Sequence, residues 1–179
     1  MSEKMLERIF PVLGCEPVDL DTAAITGDYV SLKNYGRVLI ILGYGDGTAG
    51  KDPQPSIYQA TDVSGTDAKV LNALETGRIY RMDAATYAAY AALTSSTFVW
   101  TKVTQSTADE AYAVADNGEA VGMICLEIRR DDLDTTNNFD CIRCDVSDPG
   151  AAKVGFLLYI LGDPDYPSAP ELMKAPIVD

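Results

Sequence analysis

The stretch Arg37-Val-Leu-Ile-Ile-Leu42 constrains the fold of this chain more than any other. Side chains alternate along a strand, so Val38, Ile40 and Leu42 share one side and Leu39 and Ile41 the other. Both sides are apolar, which predicts a strand packed on both faces, inside a sheet or in the middle of a sandwich. The residues before it alternate differently, with Val30 and Leu32 set against Tyr29, Ser31 and Lys33. They predict a half-buried strand, and Asn34-Tyr35-Gly36 a bend between the two halves. Gly43, Gly45, Gly47 and Gly50 follow, and glycine's access to positive φ predicts that the strand ends abruptly there in tight turns.

The rest of the chain supplies partners for this strand. Ser56–Ala60, Arg78–Met82 and the β-branched, aromatic run 95–103 read as strands. Val121–Arg129 sets Ile124, Leu126 and Ile128 against Glu127 and Arg129, and Phe139–Val146 points Ile142, Cys144 and Val146 inward. Lys153–Leu161 is apolar on both faces and is expected to share one core with Arg37–Leu42. Residues 68–74 fit strand or helix. Asp83 can cap a short helix over 84–93, where Tyr87, Tyr90 and Ala91 share a face. A second short helix is expected around 108–115. Seven or eight short strands, with turns every eight to twelve residues, predict an all-β fold: a β-sandwich or jelly-roll-like domain over 15–161.

The two ends differ from this middle. Residues 1–11 read as a short amphipathic helix stopped by Pro11, and 15–26 as a polar lead-in. Residues 162–179 hold four of the nine prolines and read as an extended tail. A short helix is marginal alone. The arms 1–14 and 162–179 are therefore expected to dock, either on their own domain or on a neighbouring subunit. Leu6, Ile9 and Phe10 on one arm, and Tyr166, Leu172 and Ile177 on the other, are the candidate protein-interface residues.

Composition narrows the chemistry. A chain of 179 residues suits one domain, and 47% apolar residues suffice for a real core. The net charge of −13 opposes phosphate backbones and anionic membranes, so neither nucleic acid nor a membrane is expected as partner. The chain has no histidine, which removes the commonest general base and metal ligand and every Ser-His or Cys-His pair. No apolar run is long enough to span a bilayer. The first eleven residues lack the apolar region of a secretory signal, which predicts a reducing cytoplasm as the place of synthesis and thiols for the four cysteines.

Four motifs invite chemistry. Cys141-Ile-Arg-Cys144 has CxxC spacing, but no second pair completes a zinc set, and i and i+3 of a strand face opposite ways. Buried small hydrophobes are the reading taken. Asp131–Asp140 is oxygen-rich without the glycine and closing glutamate of an EF-hand, and reads as a solvated turn. Gly43–Gly50 lacks the lysine and Ser/Thr of a phosphate loop. Carboxylate pairs are inevitable among 27 acids. No catalytic residue, cofactor or metal site is expected, and the chain reads as a non-enzyme.

Several stretches resemble a loosely defined family of structural proteins from tailed bacteriophages. They are Ala24-Ile-Thr-Gly-Asp-Tyr-Val-Ser-Leu-Lys-Asn-Tyr35, Val38–Leu42 with its glycine-rich loop, and Gln59-Ala-Thr-Asp-Val-Ser-Gly65. Leu133-Asp134 with Phe139-Asp-Cys-Ile-Arg-Cys144, and Leu158-Tyr-Ile-Leu-Gly-Asp-Pro-Asp-Tyr166, complete the set. The resemblance covers most of the chain and implies a virion component, in particular a capsid decoration (cement) protein on the capsid exterior. Its implied partners are the major capsid protein and copies of itself, as a homotrimer, with synthesis in the host bacterial cytoplasm. The helix expected over 84–93 is extra to a minimal decoration domain. A tail, neck or head-fibre component shares the resemblance. A carbohydrate-binding β-sandwich is the alternative from a different class, and would need displayed aromatics such as Trp100.

Overall fold

Alternating apolar residues build the middle of the larger sheet. In the computed structural model, which describes residues 4–21, 24–84, 91–92, 99–112, 121–166 and 168–177, β4 (Tyr35–Tyr44) lies between β9 (Val121–Arg129) and β11 (Val154–Pro164). The order of this six-stranded antiparallel sheet is β1-β11-β4-β9-β7-β8, with β1 at Ile9–Asp19, β7 at Ile79–Ala84 and β8 at Thr101–Lys102. Direct register fixes the faces: Val12, Tyr159, Ile40, Leu126 and Ile79 form one cross-sheet row pointing inward. A second antiparallel sheet has the order β2-β10-β5-β6, from Ile25–Thr26, Cys141–Val146, Pro55–Ala60 and Lys69–Val70. The short β3 (Val30–Ser31) also pairs with β10. The chain is an all-β sandwich-like domain of two antiparallel sheets.

The core lies between the sheets. Val38, Ile40, Leu42, Ile124, Leu126, Ile128, Leu157, Tyr159 and Leu161 face Ile25, Val30, Ile57, Ile142, Cys144 and Val146. Burying each Leu, Ile or Val contributes about 1.5–3 kcal/mol, which offsets the ordering of the strands. One polar bond joins the two layers: the Cys144 amide of β10 donates to the Tyr159 hydroxyl of β11 at 3.0 Å, with both residues fully buried. Tyr159 fits because glycines flank it. A Cβ on Gly14 would lie 2.6 Å from its ring, and one on Gly27 would lie 2.3 Å from the Cys144 carbonyl oxygen and 2.6 Å from the Tyr159 hydroxyl.

Several expectations change. The helix over 1–11 is replaced by a 3-10 turn at Met5–Glu7 and then β1, which runs through the boundary drawn between 14 and 15 and takes up the polar lead-in as far as Asp19. Pairing with β11 overrides local pattern here. β1 is an edge strand, which tolerates Pro11 and Pro17, and its register shifts on either side of Cys15. Gly43 does not end β4. The strand runs on to Tyr44, and Gly43 makes room for the Phe156 ring, which a Cβ would meet at 2.2 Å. Of the residues in that loop only Gly50 takes positive φ, at 68°.

Tyr29 and Ser31 are buried with Val30 and Leu32 rather than turned to solvent, because the C-terminal segment and the outer side of the second sheet cover them. Residues 68–74 contain only the two-residue β6. In the run 108–115, Asp109 and Ala111 form bridges to Leu74 and Ser56 instead of a helix, and 113–115 lie outside the described residues. The helix expected over 84–93 also falls mostly outside them, and its first residue closes β7. Of the strand expected over 95–103, the described part supplies β8.

Candidate functional site

The two chain ends meet on Tyr35. This residue opens β4, is 1% exposed, and was expected in a bend. Phe10 of β1 packs edge-on against its ring, with centroids 6.3 Å apart at 66°. Its hydroxyl donates to the Lys174 carbonyl at 2.6 Å, and Pro164 is its partner in the β4–β11 ladder. Burial raises the Tyr35 pKa, which keeps the hydroxyl a donor. Beside it the Ser31 amide donates to the buried Pro176 carbonyl at 2.6 Å, and the Asp165 amide to the Asn34 carbonyl at 2.9 Å.

Ion pairs frame this end of the sheet. Arg37 reaches Asp163 at 2.6 Å and Glu127 at 3.1 Å, and Arg130 reaches Asp165 at 2.7 Å. Partly exposed pairs contribute about 0–1 kcal/mol each. A buried amide or hydroxyl deprived of its acceptor costs about 1–3 kcal/mol. The backbone acceptors of the tail therefore hold it more firmly than its charges do. The expected tail begins inside a strand, since β11 continues to Pro164, and Asp163 adopts φ 52° one residue before that last pairing.

The candidate interface residues divide into two groups. Ile9 and Phe10 are half-buried: Ile9 pairs with Gly162 and Phe10 packs on Tyr35. Leu6, Tyr166, Leu172 and Ile177 project, Tyr166 being 81% and Leu172 72% exposed. Tyr166 rims a small hollow with Asn34, Tyr35, Pro164, Met173 and Lys174. Met5, also exposed, belongs with them; the helical reading sets it on one side with Leu6 and Ile9 but leaves it out of the interface set. Tyr35 was missed because its neighbours Asn34 and Gly36 spell a turn.

The motifs with chemical promise are absorbed by structure. Cys144 faces the core, whereas Cys141 faces outward against Tyr29 and Ala60. No group of three or more His, Cys, Asp or Glu residues able to hold a metal occurs among the described residues. In the acidic loop, Asp132 holds Arg78 through two bonds of 2.6 and 2.8 Å and accepts from the Arg129 amide at 2.7 Å, while Asp134 pairs with Lys69 and accepts from Asn137. Arg143 lies over the rings of Tyr29 and Tyr58 and pairs with Asp145 at 2.8 Å. Lys153 is 2% exposed with its ammonium over the Tyr44 ring, and burial lowers its pKa. No helix among the described residues is long and apolar enough to cross a membrane.

These buried groups set a pH response. Burial pushes the Cys125 thiol up from 9.0 to about 11, and burial also raises Cys144 and Tyr159. Groups raised by folding stabilise fully below their unfolded values, and that contribution is lost as pH climbs through the folded ones. Lys153, lowered by folding, acts in the opposite sense as pH approaches 10.5. One lysine stands against several thiols and tyrosines, so stability should fall from about pH 9 toward pH 11. With no histidine, the melting temperature should stay flat between about pH 6 and 8. Calorimetry across pH 6–11 reads both, and a melting temperature rising above pH 9 would contradict this assignment.

No family model and no curated protein matches the sequence. Among solved structures, the chain is similar to the SPBc2 prophage-derived protein YomS. That likeness covers 87% of this chain and 93% of YomS, at 6% identity and a TM-score of 0.43. It is also similar to the infectious bursal disease virus VP2 subviral particle over 96% of this chain and 45% of that one, at 11% identity and a TM-score of 0.25. Both similarities are too distant to bear on what the chain does.

Proposed function

We propose that the chain is a non-enzymatic structural protein of a tailed-phage virion, a capsid decoration protein seated on the outside of the major capsid shell. The observation that carries this reading is the clasp at Tyr35. Both chain ends are fixed at one end of a two-sheet core, and from there Leu6, Tyr166, Leu172 and Ile177 project into solvent. The sequence resemblance to phage structural proteins points the same way. In this role the rigid core spans a seam between capsomers and the projecting side chains bury apolar area against the shell. Copies of the chain form a small closed oligomer, a trimer if it follows the decoration proteins it resembles.

The test is quantitative mass spectrometry of purified virions. We expect a ratio to the major capsid protein near one to one, and loss of incorporation in Tyr166→Ala/Leu172→Asp, which spares the clasp. A handful of copies per particle would move the protein to the tail, neck or head fibres. Absence from virions would overturn the reading. Glycan binding through the exposed Trp100 would then be the alternative to examine.

A further inference from the structure

The C-terminal segment leaves the core and comes back to it. β11 ends at Pro164, paired with Tyr35, and the next amide, that of Asp165, still donates to the Asn34 carbonyl at 2.9 Å. Met173 then packs against the core and lines the same small hollow as Pro164. The return is made by one 3-10 turn, Pro170–Leu172, which buries none of its residues and is closed by two hydrogen bonds of 2.8 and 3.4 Å. The residues on either side of that turn are extended, Ala169 at φ −55°, ψ 141° and Met173 at φ −65°, ψ 145°. Beyond it the tail is held by its carbonyls: those of Lys174 and Pro176 accept from the Tyr35 hydroxyl and the Ser31 amide, both at 2.6 Å. Carbonyls two residues apart in an extended chain point the same way, so the groove reads backbone spacing, with Met173 and Pro176 as the seated side chains.

We infer that the clasp exchanges tails between copies of this chain: the turn at Pro170–Leu172 opens, and segment 173–177 of one copy seats in the groove of another. Three features favour a second copy's tail as the occupant. The first is the hinge. Opening it breaks only the bonds of one exposed turn, while each bond of the clasp is remade in the neighbour, which makes exchange of an identical element a low-cost route to a dimer. The second is reach. From Asp165 to Met173 an extended proline-rich chain spans about 25 Å, yet at home it only bridges one hollow. Pro164, Pro167 and Pro170 bias this stretch of sequence toward the extended form. The third is exposure. Tyr166, Leu172 and Ile177 stay exposed with the tail at home, and in an exchanged pair the two crossing tails run side by side and can cover them.

Concentration decides where the tail sits. A short linker holds its own tail at an effective concentration of the order of 1 mM. The tail therefore stays at home in dilute solution and exchanges where copies are crowded to that level. Exchange needs only the clasp, so a chain that never entered a particle would still exchange tails.

Cross-linking of isotope-mixed protein tests it. Lys33 and Lys174 are exposed and flank the clasp, one on the groove and one on the tail, so an amine cross-linker joins them. Light and heavy full-length chains are mixed one to one, left to equilibrate, cross-linked and digested, and the Lys33–Lys174 links are sorted by mass. With a dissociation constant near 1 mM, links between a light and a heavy chain should rise from about 1% of the total at about 10 µM to about 30% at about 2 mM. Met173→Asp, which unseats the tail, should abolish the mixed links. Links that stay within one isotope at about 2 mM would overturn the inference. So would mixed links that persist at the wild-type level in Met173→Asp, since collisions alone would then account for them.

Discussion

Tyr159→Ala should cost about 4–8 kcal/mol of stability, enough to unfold much of the population at 37 °C. The estimate joins two losses. Removing a fully buried aromatic ring costs about 3–5 kcal/mol, and leaving the Cys144 amide without an acceptor between the sheets adds about 1–3 kcal/mol. Tyr159→Phe isolates the second loss, because the ring remains and only the hydroxyl goes. It should cost about 1–3 kcal/mol. Gly27→Ala probes the same junction from outside, where the new methyl meets the Cys144 carbonyl, a backbone atom that cannot swing away. Urea titrations followed by circular dichroism read all three. A Tyr159→Phe variant as stable as wild type would show that the hydroxyl does not join the layers.

Removing residues 165–179 should destabilise the core, lowering stability by about 3–6 kcal/mol and the melting temperature by roughly 10–20 °C. From sequence, the proline-rich tail is expected to dock on its own domain or on a neighbouring subunit. The structure seats much of it on its own domain, because Lys174 and Pro176 supply the acceptors for the Tyr35 hydroxyl and the Ser31 amide, and Met173 packs against the core. Tyr35→Phe should reproduce only one part of the loss, about 1–2 kcal/mol. Thermal melts of the truncated and substituted proteins make the comparison. A truncated chain melting with the wild type would show that the tail rides on the core without supporting it. Surface substitutions such as Leu172→Asp are therefore cleaner tests of assembly than deletions are.

The strands with strict alternation were legible in the sequence. β4, β9 and β11 place their inward residues as period two demands, and β4 and β11 are direct neighbours. β5 and β7 were found from β-branched and aromatic runs between turns. β1 was not legible, because Pro11, Gly14 and Pro17 spoil its pattern and only its pairing with β11 makes it a strand. Alternation in β4 correctly showed two apolar faces. It could not tell that one meets the second sheet while the other has no described strand across it, since periodicity reports side-chain direction and not what lies opposite. The projecting side chains of the candidate site were readable as apolar residues among prolines. Their anchor was not, because the Tyr35–Lys174 bond spans 139 residues and leaves no local trace.

The place of β11 has a consequence for synthesis. It sits between β1 and β4 in the sheet, yet it is translated after every other described strand of that sheet. Until Pro164 has left the ribosome, β1 has no ladder to join and β4 has one open edge. Closure of the larger sheet is therefore a late event, gated by pairing between the first and last strands. Long-range pairing of this kind is slow. Nascent chains stalled before residue 154 should present β4 to chaperones, and slower initiation should raise the yield of folded protein by reducing the number of half-built sheets present at once.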